Sequence, residues 1–163
     1  DYGLLRELKK FSRQEYRHAL RVSGIAEKCA YIVGADAAVC KAAGLYYRIG
    51  TLDGDPMVEN GVARAQDQCF PEKVTEILSE YYGIEKMPST IESAIVQIVD
   101  GMIKKLEALE KTSKIAGGWN KEMVIYQTLN EFSAQGLYDQ SGLSMNMFLK
   151  IREYLVKEEA LLL

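Results

Sequence analysis

Apolar side chains recur at the three- and four-residue spacing of an α-helix along almost the whole chain. Glycine and proline fall mainly between these periodic segments. A helix over about residues 15–33, for example, places His18, Val22, Ile25 and Cys29 on one apolar stripe. The pattern therefore predicts that His18 faces the core.

The same periodicity predicts further helices on both sides of this one, over residues 4–11, 37–44, 58–65, 74–81, 95–106, 124–132 and 148–155. Gly34 is expected to end the second helix in the left-handed conformation, and Asp36 to cap the N-terminus of the third. Asp55 is expected to cap the fourth helix, and Ser89 with Glu92 to form a capping box before the long one.

Loops are predicted over residues 50–55 and 112–118, and Trp119 near a helix start is expected to be a packing anchor. Neither repeats nor the alternating pattern of strands are found. The sequence therefore predicts an all-α fold, a single helical bundle spanning residues 1–163.

Composition narrows the functional classes. With 48% hydrophobic and 26% charged residues, 163 residues suit one folded domain. A net charge of −3, without a basic tail or patch, argues against a nucleic-acid polymer as partner. Three widely spaced cysteines favour neither a disulfide framework nor a zinc site. No apolar run is long enough to span a membrane, and the start at Asp1 leads us to expect a piece of a longer protein.

Two short strings suggest chemistry. The chain has one histidine, in Y-R-H-A-L-R-V-S-G-I-A-E-K over residues 16–28, and A-G-L-Y-Y-R-I-G follows over residues 43–50. The first resembles the helix that supplies the first metal ligand of HD-domain phosphohydrolases. The second is similar to the A-x-L-x-H-D-I-G motif of that superfamily, with Tyr47 and Arg48 at its His-Asp pair.

Four further strings resemble one branch of the superfamily, the cytoplasmic HD domains of seven-transmembrane-receptor HD proteins, which are cyclic-di-AMP phosphodiesterases. They are P-M-V-E-N-G-V-A-R-A at 56–65, S-E-Y-Y-G at 79–83, A-I-V-Q-I-V-D-G at 94–101 and L-N-E-F-S-A-Q-G-L-Y-D-Q-S-G-L-S at 129–144. Their order along the chain follows the family order. The resemblance implies a single HD-domain helical bundle.

In the family, one or two divalent cations such as manganese or iron activate a water that attacks phosphorus. The resemblance places seven residues at the metal-ligand positions: His18, Tyr47, Arg48, Met57, Tyr81, Tyr82 and Asp100. Only His18 and Asp100 are of a ligand type there. A protonated tyrosine is a poor ligand, and a thioether is too soft for magnesium or manganese.

Arg48 adds a permanent positive charge where the family holds a cation, so we expect neither a bound metal nor another cofactor, and no catalytic residue. Asp100 on an apolar helix would need a partner if buried, and we predict that Arg48 pairs with it, either directly or through a bridging group. The tyrosines are expected to fill the space of metals and imidazoles, with hydroxyls bonded to His18 or Asp100. His18 is then a hydrogen-bonded core residue.

Three functions stay open. The first is a non-catalytic regulatory or scaffold module of bacterial signalling, cytoplasmic, which contacts another domain or protein. The second is a phosphohydrolase of the cyclic-dinucleotide phosphodiesterase type, with a rearranged cation on His18 and Asp100. The third is a module that binds a nucleotide or cyclic dinucleotide without turnover, with Arg48 and His18 facing the phosphate.

Overall fold

The structure, a computed structural model, describes residues 2–116 and 120–158, with side chains over 3–112 and 120–158. This part of the chain contains eight α-helices and no strand. They are α1 (Tyr2–Phe11), α2 (Arg13–Val33), α3 (Ala37–Tyr46), α4 (Met57–Asp67), α5 (Glu72–Ser79), α6 (Ile91–Ala116), α7 (Lys121–Ala134) and α8 (Met145–Lys157). Two short 3-10 turns, Ile49–Asp53 and Tyr81–Gly83, join α3 to α4 and follow α5. The predicted all-α fold is confirmed.

The Ser12 side chain and the Gly34 backbone cap the two ends of α2. The Ser12 hydroxyl accepts a hydrogen bond from the Glu15 N–H at 3.1 Å, so the helix begins at Arg13, two residues before the predicted start. Gly34 ends it at φ 77°, as predicted. Asp36 then caps α3 by accepting from the Val39 N–H.

Other predicted boundaries are wrong. The cap of α4 is Pro56, which offers no side-chain hydrogen bond, and the Asp55 prediction fails. At α6 the Thr90 hydroxyl accepts from the Ser93 N–H, whereas the Ser89 hydroxyl turns back to Glu80.

The predicted loops differ as well. The 50–55 loop is largely the 3-10 turn Ile49–Asp53. Helix α6 runs through most of the 112–118 loop, as far as Ala116, because no helix-breaking residue interrupts it before the glycine pair at 117–118. The remainder of that loop and Trp119 lie outside the described residues.

The core forms where α2 and α6 cross at the centre of the bundle, with α3, α7 and α8 packed around them. The apolar stripe of α2 is buried there, including Val22, Ile25 and Cys29. Cys40 is also buried and Cys69 is exposed, and all three cysteines are free thiols. None of the described helices is long and apolar enough to cross a membrane.

Candidate functional site

A buried ion-pair network links the two central helices. His18 of α2 is 4% exposed, and its Nε2 lies 2.6 Å from Oδ1 of Asp100 on α6, a residue with no exposed surface. Its Nδ1 lies 2.6 Å from Oε1 of Glu107, two turns further along α6. Arg21, one turn after His18, donates to the other Glu107 oxygen at 3.1 Å. Two cationic and two acidic side chains thus alternate across the interface.

The network favours the protonated form of His18. Burial alone would lower its pKa, but the hydrogen bonds and charges of Asp100 and Glu107 outweigh that effect and raise the pKa to about 9. Burial acts in the opposite sense on Glu107, yet His18 and Arg21 keep the pKa of that carboxyl below its usual value. At neutral pH both His18 nitrogens therefore carry protons and donate them to carboxylates.

Three tyrosines pack beside this network. The Tyr82 hydroxyl donates to Oδ2 of Asp100 at 2.7 Å, so the second oxygen of that carboxylate is also bonded, as predicted. The rings of Tyr81 and Tyr82 lie 4.6 Å apart, and those of Tyr47 and Tyr81 4.8 Å apart. The Tyr82 N–H donates to the Tyr47 hydroxyl at 3.3 Å. Burial, with the Asp100 charge next, raises the pKa of Tyr81 to about 12, so its hydroxyl stays neutral.

The turn that presents Tyr82 has an unusual backbone. Tyr82 itself has φ 52°, a left-handed conformation that a bulky residue seldom adopts. Its hydroxyl reaches Asp100 beside Gly101, where a Cβ would lie 2.6 Å from the Phe132 ring and 3.2 Å from the Tyr82 hydroxyl. The absent side chain of Gly101 therefore makes room for the Tyr82 and Phe132 rings, which meet edge to face.

The direct form of the predicted ion pair between Arg48 and Asp100 is not present. Arg48 donates instead to Oε1 of Glu15 at 2.8 Å, and both side chains are about one-fifth exposed. Both Asp100 oxygens are already bonded to His18 and Tyr82. The prediction failed because it paired the two residues from the family motif and left out Glu15, one turn before His18.

The structure brings six of the seven predicted positions to one place. His18, Asp100 and Tyr82 are joined by hydrogen bonds, Tyr47 and Tyr81 by ring contacts, and Arg48 lines the same small cavity as His18 and Asp100. Among the contacts described, none joins the Met57 side chain to His18 or Asp100. Met57 is half-buried at the start of α4, where it packs against the edge of the core.

Sequence reasoning missed Glu107, Arg21 and Glu15 as parts of the site. Helical spacing could have found them, since Glu107 lies seven residues after Asp100 on the same face of α6. Arg21 and Glu15 lie three residues on either side of His18. The family strings directed attention to the metal-ligand positions, and none of these three residues occupies one, although Arg21 lies within the first string.

The donor set does not suit the divalent cation of the family. Of the seven family positions only His18 and Asp100 are of a ligand type, and neutral tyrosine hydroxyls are weak ligands. Arg48 adds a fixed positive charge beside Asp100 and His18 in the shared cavity. In the part of the chain that the structure describes, no group of three or more His, Cys, Asp or Glu side chains is arranged to hold a metal ion.

A cleft opens from the network to the surface, with a volume of about 190 Å³. Arg48, Lys104 and Lys111 line it with Glu15 and Glu107. The cation of Lys104 also lies 5.6 Å from the centre of the Tyr82 ring. The cleft therefore offers positive charge at its mouth and the closed ion-pair network at its base.

Protonation of His18 should stabilise the fold up to an unusually high pH. Because the folded-state pKa is raised from 6.5 to about 9, this contribution is complete below pH 6.5 and is lost as the pH rises through 9. The shift corresponds to roughly 3 kcal/mol of unfolding free energy. As His18 is the one histidine, its ring signals in NMR spectra give the titration directly, and denaturation at several pH values gives the stability.

The matched variant is His18→Gln, which should lack this pH dependence. A His18 ring that titrates near 6.5, or a stability unchanged between pH 6.5 and 9, would contradict the charged network.

Comparison with known proteins identifies the fold. No family model matches the sequence, and no curated protein matches it either. The crystal structure of the HD domain of the L. monocytogenes phosphodiesterase PgpH matches with a TM-score of 0.78 and 15% identity, over 96% of each chain. The same domain in complex with cyclic-di-AMP matches with a TM-score of 0.77 and 15% identity, over 94% of this chain and 93% of that chain. The chain therefore has the HD-domain fold, and this prediction is confirmed.

Proposed function

We propose that this chain is a non-catalytic regulatory module with the HD-domain fold, in which an ion-pair network replaces the metal centre. The supporting observation is that Asp100 and Glu107 hold His18 at both ring nitrogens, each at 2.6 Å. The imidazolium supplies the positive charge that a metal ion supplies in an HD phosphohydrolase. On this proposal the module acts in the cytoplasm of a bacterium, through contacts with another domain or protein.

The chemistry of phosphodiester hydrolysis supports the proposal. The reaction needs an activated water and positive charge for the phosphoryl oxygens. Arg48 and Lys104 at the cleft could supply the charge. No free base lies at the network. His18 is protonated up to a pH of about 9, and burial keeps the hydroxyls of Tyr47, Tyr81 and Tyr82 neutral. The Asp100 and Glu107 carboxylates already accept hydrogen bonds from His18, Tyr82 and Arg21.

A second candidate is a module that binds a nucleotide without turnover. It is supported by the cleft with Arg48, Lys104 and Lys111, and by the cyclic-di-AMP complex of the PgpH HD domain. Phosphate oxygens would meet the exposed Lys104 and Lys111 first and then Arg48, which lies beside Glu15. The carboxylates of Glu15 and Glu107 would oppose deeper entry. This candidate keeps the network intact and differs from the first only in having a ligand.

We expect no turnover of cyclic-di-AMP or of a chromogenic phosphodiester above the rate of an enzyme-free control, with manganese or magnesium supplied. The protein should also lack a stoichiometric transition metal when purified without chelator. Activity assays and elemental analysis measure these outcomes. Clear hydrolysis that disappears in both His18→Ala and Asp100→Ala, in variants that still fold, would refute the proposal and favour the rearranged cation site.

Thermal unfolding with cyclic-di-AMP separates the two candidates, because a ligand that binds only the folded state raises the melting temperature. A rise that Arg48→Ala or Lys104→Ala abolishes favours the nucleotide-binding module. The matched control is Lys105→Ala, an exposed neighbour of Lys104 that does not line the cleft. If the melting temperature does not rise at saturating cyclic-di-AMP, the result favours the first candidate, a module that does not bind this ligand.

A further inference from the structure

The junction of α1 and α2 forms a basic depression on the surface, away from the ion-pair network. Its volume is about 480 Å³, and it is lined by Arg6, Lys9, Lys10, Phe11, Ser12 and Arg13. The expectation that this acidic chain has no basic patch is therefore wrong. Over residues 6–17 the sequence holds five cations and two carboxylates, in a chain with a net charge of −3.

The two carboxylates of this segment are paired with cations from other parts of the fold. Glu7 accepts from Arg64 of α4 at 3.1 Å, and Glu15 from Arg48 at 2.8 Å. Within the described residues, no carboxylate lies within 4.0 Å of the basic groups of Arg6, Lys10 or Arg13. The positive charge of the segment is therefore not neutralised locally.

Exposed apolar side chains accompany this charge. Phe11 is 56% exposed at the end of α1, and Leu20 is 45% exposed on α2. Leu20 shares its helix face with Arg13 and Arg17, which lie seven and three residues before it. We call the set of Arg6, Lys9, Lys10, Phe11, Arg13, Arg17 and Leu20 the basic surface.

We propose that the basic surface docks on an anionic lipid bilayer. Basic side chains are attracted to the negative charge of such a membrane, and a neighbouring aromatic ring enters the boundary between headgroups and acyl chains. A partner that offers only negative charge, such as an acidic peptide or a nucleic acid, would leave Phe11 and Leu20 in water. The combination of both features favours the bilayer, which complements the charge and the apolar groups together.

Vesicle sedimentation with the full chain tests this proposal. We expect binding to phosphatidylcholine vesicles that contain phosphatidylserine, little binding to pure phosphatidylcholine, and weaker binding as salt is added. Each cation near an anionic surface strengthens binding roughly fivefold, so Arg6→Glu/Lys10→Glu should weaken it by about 25-fold or more. Phe11→Ser should weaken it roughly tenfold, because the ring no longer enters the membrane.

The matched control is Lys73→Glu/Lys86→Glu, which reverses two exposed cations outside the basic surface and should weaken binding far less. Arg13→Glu/Arg17→Glu repeats the test on α2, in case the α1 variant fails to fold. Equal binding to both kinds of vesicle, or equal losses in the control, would overturn the proposal. Binding to polyglutamate or single-stranded DNA as strong as that to vesicles, and unchanged by Phe11→Ser, would overturn it in favour of a polyanion partner.

Discussion

Replacement of Asp100 by alanine should lower the free energy of unfolding by about 3–5 kcal/mol, the usual result of removing one partner from a buried ion pair. Asp100 has no exposed surface and accepts from both His18 and Tyr82. Without it, the His18 imidazolium keeps only Glu107, and the Tyr82 hydroxyl loses its acceptor. Urea denaturation of the wild type and the variant measures the loss.

A double-mutant cycle identifies the partner of Asp100. Asp100→Ala and His18→Ala should be strongly coupled, because the two side chains contact each other at 2.6 Å. Asp100→Ala and Arg48→Ala should be closer to additive, since Arg48 is bonded to Glu15. Asp67→Ala, which removes an exposed carboxylate at the end of α4, is the matched control and should change stability by less than about 0.5 kcal/mol. Sub-kilocalorie effects at Asp100, without coupling to His18, would contradict the network.

The sequence predicted the helices well because each helix buries one apolar face. The residues of that face recur at three- and four-residue spacing along the chain. The burial of His18 followed from the stripe it shares with Val22 and Ile25. Helix boundaries were less predictable, because a polar side chain caps a helix only if it bonds to the N–H groups of that helix and not to another nearby group. The Ser89 hydroxyl, for instance, bonds to the buried Glu80 of the preceding segment, a contact that local sequence does not specify.

The candidate site was predictable in its residues and only partly in its contacts. The family strings located six residues that the fold does bring together, and the Tyr82 to Asp100 hydrogen bond followed from the need to satisfy a buried carboxylate. The predicted direct partner of Arg48 was wrong because a second carboxylate lies nearer in the fold: Oε1 of Glu15 is 2.8 Å from the guanidinium and pairs with it in place of Asp100. The double contact of His18 depends on the crossing of α2 and α6, which no single segment specifies.

The string Y-R-I-G shows which parts of the family motif are tied to packing. Tyr47 and Arg48 differ from its His-Asp pair, whereas Ile49 and Gly50 match its last two residues. Ile49 is 1% exposed in the core, and Gly50 lies against the first turns of α4. Packing therefore accounts for Ile49 and Gly50 at these two positions without a metal. Substitution of Gly50 is the sharper test of this packing.

Replacement of Gly50 by alanine should destabilise the fold by about 3 kcal/mol or more, at the upper end of what overpacking costs. A Cβ there would lie 1.8 Å from the Met57 carbonyl oxygen and 2.6 Å from the Gly61 nitrogen, which are backbone atoms that cannot rotate away. Backbone conformation is not the obstacle, because Gly50 is outside the left-handed region. Gly24→Ala is the matched control: its Cβ would meet nothing within 4 Å inside α2, so it should stabilise the protein by up to about 1 kcal/mol. Denaturation of both variants measures the difference, and a Gly50→Ala protein as stable as the wild type would show that the turn and α4 are not in close contact.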